Sequence, residues 1–306
     1  MISFLLFNKI LQLAIIMIFG FLLVKLKVIK SSDSTVFSKI SLYLLMPAAL
    51  LNSFDVDVTP NVVNGLMLSF GAGIALHFIL LGIDFAYKKI FDGTGVERAS
   101  IMYSNAANLI IPIVAYVLGD EWVIYSCAFM SVQIVFLWTH AIRLFSPQKL
   151  DFKKIVFNTN IIAIAVGVVL LLLGIRLPEF VKDITSSLGS MIGVVGMLIA
   201  GMLAATVDFK KIFTNKRLYL VLVMRMFVCP FIMLCILKAA LLVITVANAD
   251  KILLISYLAC ITPSAATIMQ FAQINNKDAD FAVAINIVTT IFCISTMPMF
   301  VILFQN

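Results

Sequence analysis

Apolar stretches of about twenty residues, set apart by short polar runs, fill the chain. About twenty such residues, coiled as a helix, span the hydrocarbon of a bilayer. Ten stretches meet that measure: 6–24, 37–54, 61–83, 99–118, 121–143, 155–174, 187–206, 217–241, 251–272 and 279–303. The expected fold class is an all-α integral membrane protein with ten transmembrane helices. Two of the ten are interrupted by polar residues and proline. The fourth carries Asn105, Asn108 and Pro112; the ninth carries Thr262, Pro263, Ser264 and Thr267. Proline lacks an amide donor and clashes with the preceding turn, so breaks are expected at Pro112 and Pro263. Lipid cannot satisfy the backbone groups a break frees, so it must be covered by protein or line a cavity.

The ten segments divide into two fives, 1–145 and 146–306. Each half opens with an apolar helix and a short linker, 28–33 in the first and 174–179 in the second. In each half the fourth segment holds the mid-span proline and ends in a polar turn, Gly119-Asp120 or 275–278. Five is odd, so the halves enter the membrane from opposite sides and form an inverted repeat. Interrupted helices in corresponding places of such repeats point to a binding site near the midplane.

Composition agrees with a membrane protein: 63% of the 306 residues are hydrophobic and only 12% charged, with a mean hydropathy of +1.13. Soluble domains carry about 25% charged residues. The net charge of +7 comes without a basic patch interleaved with aromatics, so nucleic acid is not an expected partner. The cations instead follow the positive-inside rule. Alternate loops hold 16, in the groups Lys25 to Lys39, Lys88 to Arg98, Arg143 to Lys154, Lys210 to Arg217, and Lys277. The other side has 5: Lys9, Arg176, Lys182, Lys238 and Lys251. The first set is expected in the cytoplasm and both termini outside, in the cell membrane. Lys25 and Lys27 follow the first apolar stretch without a small-residue cleavage site, so no cleaved signal peptide is expected. The cysteines Cys127, Cys229, Cys235, Cys260 and Cys293 lie in apolar segments without metal-ligand spacing and read as small hydrophobes.

Asn105, Asn108 and Pro112, Thr262-Pro263-Ser264, the run from Asn286 to Thr290, and Pro47 in the second helix are the residues through which the chain resembles a known family. It is similar to the auxin efflux carriers, which include plant PIN-formed auxin exporters and bacterial malate and malonate permeases. The resemblance covers the layout of essentially the whole chain. It implies ten helices, the fourth and ninth crossing at their broken midpoints, and an elevator-like arrangement of scaffold and moving panel. The chain departs from the family in carrying Ala107, Leu109 and Ile110 where glycines are usual. Its seventh segment also lacks a counterpart of Pro47.

The polar residues at the breaks suit an anion. Each half-helix N-terminus exposes unpaired N–H groups and a partial positive charge, which can hold a carboxylate without a basic side chain. Asn105, Asn108, Pro112, Thr262, Pro263, Ser264, Thr267 and Asn286 form the candidate binding set. Alternatively, these amides and hydroxyls serve only the carbonyls that the prolines free. Arg225, deep in the eighth segment, either snorkels to the surface, pairs with a carbonyl cluster, or attracts the anion. Asp84 and Glu121 read as interfacial, so no proton relay or carboxylate sodium site is expected. His77 and His140 read as helix–helix hydrogen-bonding residues, and Pro230 and Pro298 as simple kinks. No cofactor, metal or enzymatic constellation is expected. The favoured function is a secondary transporter for a dicarboxylate or auxin-like carboxylate, with a proton or sodium as coupling ion and a homodimer left open. The rivals are a sodium-driven carrier resembling bile-acid symporters and a non-transporting receptor using the same cavity.

Overall fold

The computed structural model describes residues 2–146, 157–208, 210 and 213–306. Lys149, Lys153, Lys154 and Lys211, and the start of the expected 155–174 span, lie outside them. Twelve helices in chain order build the described part: α1 Ile2–Lys25, α2 Ser31–Ser53, α3 Pro60–Phe91, α4 Gly95–Met102, α5 Ala106–Val117 and α6 Asp120–Phe145. They continue as α7 Thr159–Leu172, α8 Glu179–Ala204, α9 Lys216–Leu241, α10 Ala249–Ile261, α11 Ala266–Ile274 and α12 Ala279–Gln305. Among the described residues there is no strand, and seven helices (α1, α2, α3, α6, α8, α9 and α12) are long and apolar enough to cross a membrane. The protein is a multi-pass membrane protein.

Local chemistry sets the ends. Thr59 Oγ1 accepts from Val62 N at 3.2 Å and Pro60 occupies the first turn, so α3 starts there. It runs beyond the expected 61–83 to Asp92, whose left-handed φ of 50° closes it. Asp278 caps α12 through a 3.1 Å bond from Phe281 N. Pro298 lies within α12 and Pro230 in the first turn after a π-turn at Met224–Val228, without ending either helix. Two more π-turns sit at Ser41–Leu45, just before Pro47, and at Leu137–Ala141.

The helices pack as two groups. In one, α1 runs along α8, and α2 lies between α7 and the start of α8. Gly20 and Gly201 allow the close approach: a Cβ on Gly20 would strike the Leu198 carbonyl, and one on Gly201 the Met17 carbonyl. The second group gathers α3, α4, α5, α6, α9, α10, α11 and α12, with α3 against α6 and α10. The groups meet where α1 and α8 touch α5 and α12. Between α2 and α7–α8, Asp55 holds the loops together. Its Oδ1 accepts from Leu177 N at 3.0 Å, and its carboxylate pairs with Arg176 at 3.0 Å and Lys182 at 2.9 Å. Burial pushes the Asp55 carboxyl up, but these donors outweigh it and hold it below the ordinary value.

Candidate functional site: a crossing of two interrupted helices

The fourth segment stops at Met102 and restarts at Ala106; the ninth stops at Ile261 and restarts at Ala266. The two gaps pair with each other. Asn105 N donates to Pro263 O at 2.8 Å and Ala265 N to Tyr103 O at 3.0 Å, which makes an antiparallel bridge between Ser104 and Ser264. Each extended stretch thus satisfies backbone groups that the other leaves open.

Pro263 lies in its gap, but Pro112 does not: it sits inside α5, seven residues past Asn105. The expected break at Pro112 is corrected to Tyr103–Asn105. A proline removes a single helical bond, which α5 tolerates. The pairing with the second gap replaces several bonds at once, and that fixes where the segment opens. Asn108 therefore lies beside the opening as the third residue of α5, not because Pro112 is one turn away.

The four half-helices bring unlike ends together. At the carbonyl ends of α4 and α10 sits Arg225, 1% exposed. Its Nη1 donates to Ile101 O at 2.9 Å, its Nη2 to Cys260 O and Thr262 O at 2.7 and 2.6 Å, and its Nε to Thr262 O at 3.2 Å. It does not snorkel; it is the carbonyl partner. At the N–H ends, neither α5 nor α11 has an acidic residue in its first turn. The partial negative charge at the crossing is neutralised and the partial positive charge is not.

Around those N–H ends the polar side chains form a connected set. Asn105 Oδ1 accepts from Asn108 Nδ2 at 2.9 Å and from Ala266 N at 3.4 Å, so the asparagine ending one gap reaches the first amide of the other half-helix. Its own Nδ2 is buried without a partner, as are Ser264 Oγ and Asn286 Oδ1. Asn286 Nδ2 donates to Ser264 O at 2.5 Å, and Ser264 N to Thr289 Oγ1 at 3.1 Å. Thr290 bonds Asn286 O. Thr262 turns its hydroxyl back to Ala259 O, serving α10 alone. Thr267 lies in the first turn of α11 and is half-buried.

Two residues outside the expected set complete the clamp. Gln133 on α6 donates to Ser104 O at 2.8 Å and accepts from Ser104 Oγ at 2.5 Å. Tyr103, fully buried, donates to Phe136 O at 3.0 Å and contacts His140 Nδ1 at 2.9 Å. Asp84 is buried among the helices, 4% exposed and held by Arg98 through 2.8 and 2.6 Å bonds. Phe85 beside it is 71% exposed, so α3 turns the carboxylate inward and the ring outward. His77 is corrected from a helix–helix hydrogen-bonding residue: it bonds within its own helix, to Gly73 O at 2.7 Å, and only its ring crosses to α6, against Phe129 and Phe136. Glu121 is exposed.

A cavity of about 740 Å³ opens beside the crossing. Ala49, Asn52 and Ser53 of α2 and Ser186, Gly189 and Ser190 of α8 face Ile111, Pro112, Ala115 and Tyr116 of α5 across it. Lys9, Arg176 and Lys182 share its wall with Asp55, Asp57, Asp120 and Glu121. Asn108 lies one turn deeper than Pro112, closed over by α8. A Cβ on Gly196 would stand 2.8 Å from Asn108 Cγ, and one on Gly193 3.0 Å from Pro112 Cγ.

A family model described as a membrane transport protein matches residues 5–154 and 147–301. No curated protein sequence matches the chain. The match spans nearly all of the helices that build the crossing, and the chain belongs to this membrane transport protein family, that of the auxin efflux carriers.

Proposed function

We propose that this transporter moves a small organic anion, a dicarboxylate or an auxin-like carboxylate, by alternating access around the crossing. The observation that carries this reading is the charge asymmetry there. Arg225 neutralises the carbonyl ends, while two N-terminal helix ends converge with no acidic side chain in either first turn. A carboxylate is the group that fits such a place, and the buried Asn105 Nδ2 is a donor free to meet it. In this reading Asn105 and Asn108 contact the anion, and Ser264, Thr267 and Asn286 line the site beside them. Pro112 and Pro263 shape the approach; Arg225 and Thr262 hold the half-helices in register.

The architecture proposed is ten helices in two inverted five-helix repeats, 1–145 and 146–306, in the cell membrane with both termini outside. The group of α1, α2, α7 and α8 serves as scaffold. The group carrying the crossing moves against it, and sliding α5 past Gly193 and Gly196 opens the cavity to Asn108. A sodium-coupled carrier is the second reading, favoured by the two unpartnered acceptors Ser264 Oγ and Asn286 Oδ1; sodium-dependent uptake in proteoliposomes separates it from the first.

A ligand that binds only the folded state raises its melting temperature. Purified protein screened against malate, malonate and an indole carboxylate should therefore show stabilisation by at least one of them. Asn108→Ala removes a hydrogen bond to a charged group, worth about 1.5–3 kcal/mol. Affinity should fall by roughly 10- to 150-fold, at 1.4 kcal/mol per tenfold. Normal binding by Asn108→Ala with a lowered melting temperature would make the residue a structural cap and move the site to Ser264 and Asn286.

A further inference from the structure

His140 lies in the π-turn of α6 at Leu137–Ala141. Such turns interrupt the regular ladder and recur at functional sites. Gln133, seven residues earlier on the same face of α6, grips Ser104, and His140 grips Tyr103; the helix holds one gap at two successive residues. On its other side His140 Nε2 stands 3.5 Å from Asp84 Oδ2. A continuous chain of titratable groups, Asp84, His140 and Tyr103, thus leads from α3 through α6 to the backbone of the crossing, because Tyr103 O accepts from Ala265 N.

The protons of this chain can be counted. Tyr103 has one hydroxyl proton and two acceptors within reach, Phe136 O at 3.0 Å and His140 Nδ1 at 2.9 Å. If the hydroxyl donates to Phe136 O, Nδ1 must carry a proton to bond Tyr103, and Nε2 needs one to face a carboxylate. All three contacts are made together only by the doubly protonated ring. Loss of one proton leaves a choice: the hydroxyl turns to Nδ1 and abandons Phe136 O, or the bare Nε2 faces Asp84.

The surrounding charges make that proton matter. Arg98 on α4 matches Asp84, and Arg217 on α9 lies 3.4 Å from Glu97, which also accepts from Tyr87. His77 meets α6 through the Phe129 and Phe136 rings, and Arg143 follows one turn after His140 on α6. With Asp84 and Glu97 already matched, protonating His140 adds a charge that the cluster does not otherwise balance.

We propose that His140 is a proton-binding site whose occupancy, passed through Tyr103 to the gap at Tyr103–Asn105, biases the crossing between its two access states. The proposal rests on the alternating-access reading above and gives it a coupling ion. Histidine is the side chain whose unperturbed titration falls between about pH 5 and 8, where a membrane proton gradient operates.

Two measurements on the full chain in lipid nanodiscs test it. The sequence has only 2 histidines, so the NMR titration of labelled histidine is read directly, the signal lost in His140→Gln identifying this site. In parallel, Ala115→Cys in a cysteine-free background reports the cavity opening through its rate of labelling by an impermeant thiol reagent. The expected result is a labelling rate that changes at least about threefold between pH 5 and 8, with the same midpoint as the His140 signal. Tyr103→Phe leaves a titrating His140 but flattens the labelling profile, and it stands in should His140→Gln fail to fold. A pH-dependent labelling rate that persists in Tyr103→Phe, or a His140 that does not titrate between pH 5 and 8, overturns the proposal. The carboxylate melting screen is run at one fixed pH and mutates neither residue, so it succeeds or fails independently.

Discussion

Arg225 sets a full positive charge where lipid and packed side chains would normally exclude one. It is tolerated because four donor contacts reach three carbonyl oxygens at helix ends that already carry partial negative charge. Lysine offers a point charge without the planar fork, so it cannot bridge α4 and α10 in the same way. Arg225→Lys should lower the melting temperature, and Arg225→Ala should lower it further, since each orphaned buried group costs about 1–3 kcal/mol. If the arginine positions the helices and does not contact the anion, the affinity loss in Arg225→Lys will be the same at low and high salt. Asp55 makes a second residue-scale prediction. Its folded carboxyl titrates below the ordinary 3.8, so the stability it contributes is complete above that value and lost as pH falls through the folded value. The melting temperatures of wild type and Asp55→Asn should differ at pH 6, and the gap should begin to close only as pH falls below 3.8 toward the lower folded value. A gap that persists at low pH would assign the role to packing instead.

At the scale of elements, the positions of the seven long apolar helices and the presence of two polar interruptions were legible from hydrophobic runs, because lipid enforces a length that local sequence must supply. The place where the fourth segment opens was not. Tyr103-Ser104-Asn105 contains no proline or glycine, and its extended form is secured by Pro263 and Ala265, about 160 positions away. Local propensity cannot weigh such a pairing, so the proline drew attention to the wrong turn. The partners of Arg225, the burial of Asp84 and the roles of Gln133 and Tyr103 were hidden for the same reason: each depends on which helix faces which. The glycines of α8 were equally silent. Gly196→Ala would drive a methyl into Asn108, and overpacking of this kind costs typically about 1–3 kcal/mol. Carboxylate stabilisation should weaken as α8 is pushed from α5. Gly71→Ala on α3, where a Cβ meets nothing within 4 Å, should leave binding unchanged. Equal effects of the two substitutions would show that the close approach of α8 is not what shapes the site.

For the whole molecule, the division into two helical groups meets the charge distribution at the cavity. The cavity wall includes Lys9, Asp57, Asp120, Arg176 and Lys182, all at the end to which the cation-poor loops belong. A smaller cavity of about 420 Å³ lies among Glu97, Asn215, Lys277 and Asp278, at the cation-rich end. If the positive-inside rule sets the orientation, the large cavity faces outward and α8 closes Asn108 from that side. Single cysteines in a cysteine-free background decide it. All of Lys89, Lys182, Lys216 and Asn306 are exposed, so accessibility to an impermeant thiol reagent depends only on which side each one occupies. In intact cells, cysteines replacing Lys182 and Asn306 should react, while those replacing Lys89 and Lys216 should react only after the membrane is opened. Labelling of the Lys89 or Lys216 site from outside would invert the molecule. The large cavity would then open to the cytoplasm, and His140 would draw its proton from the outer face.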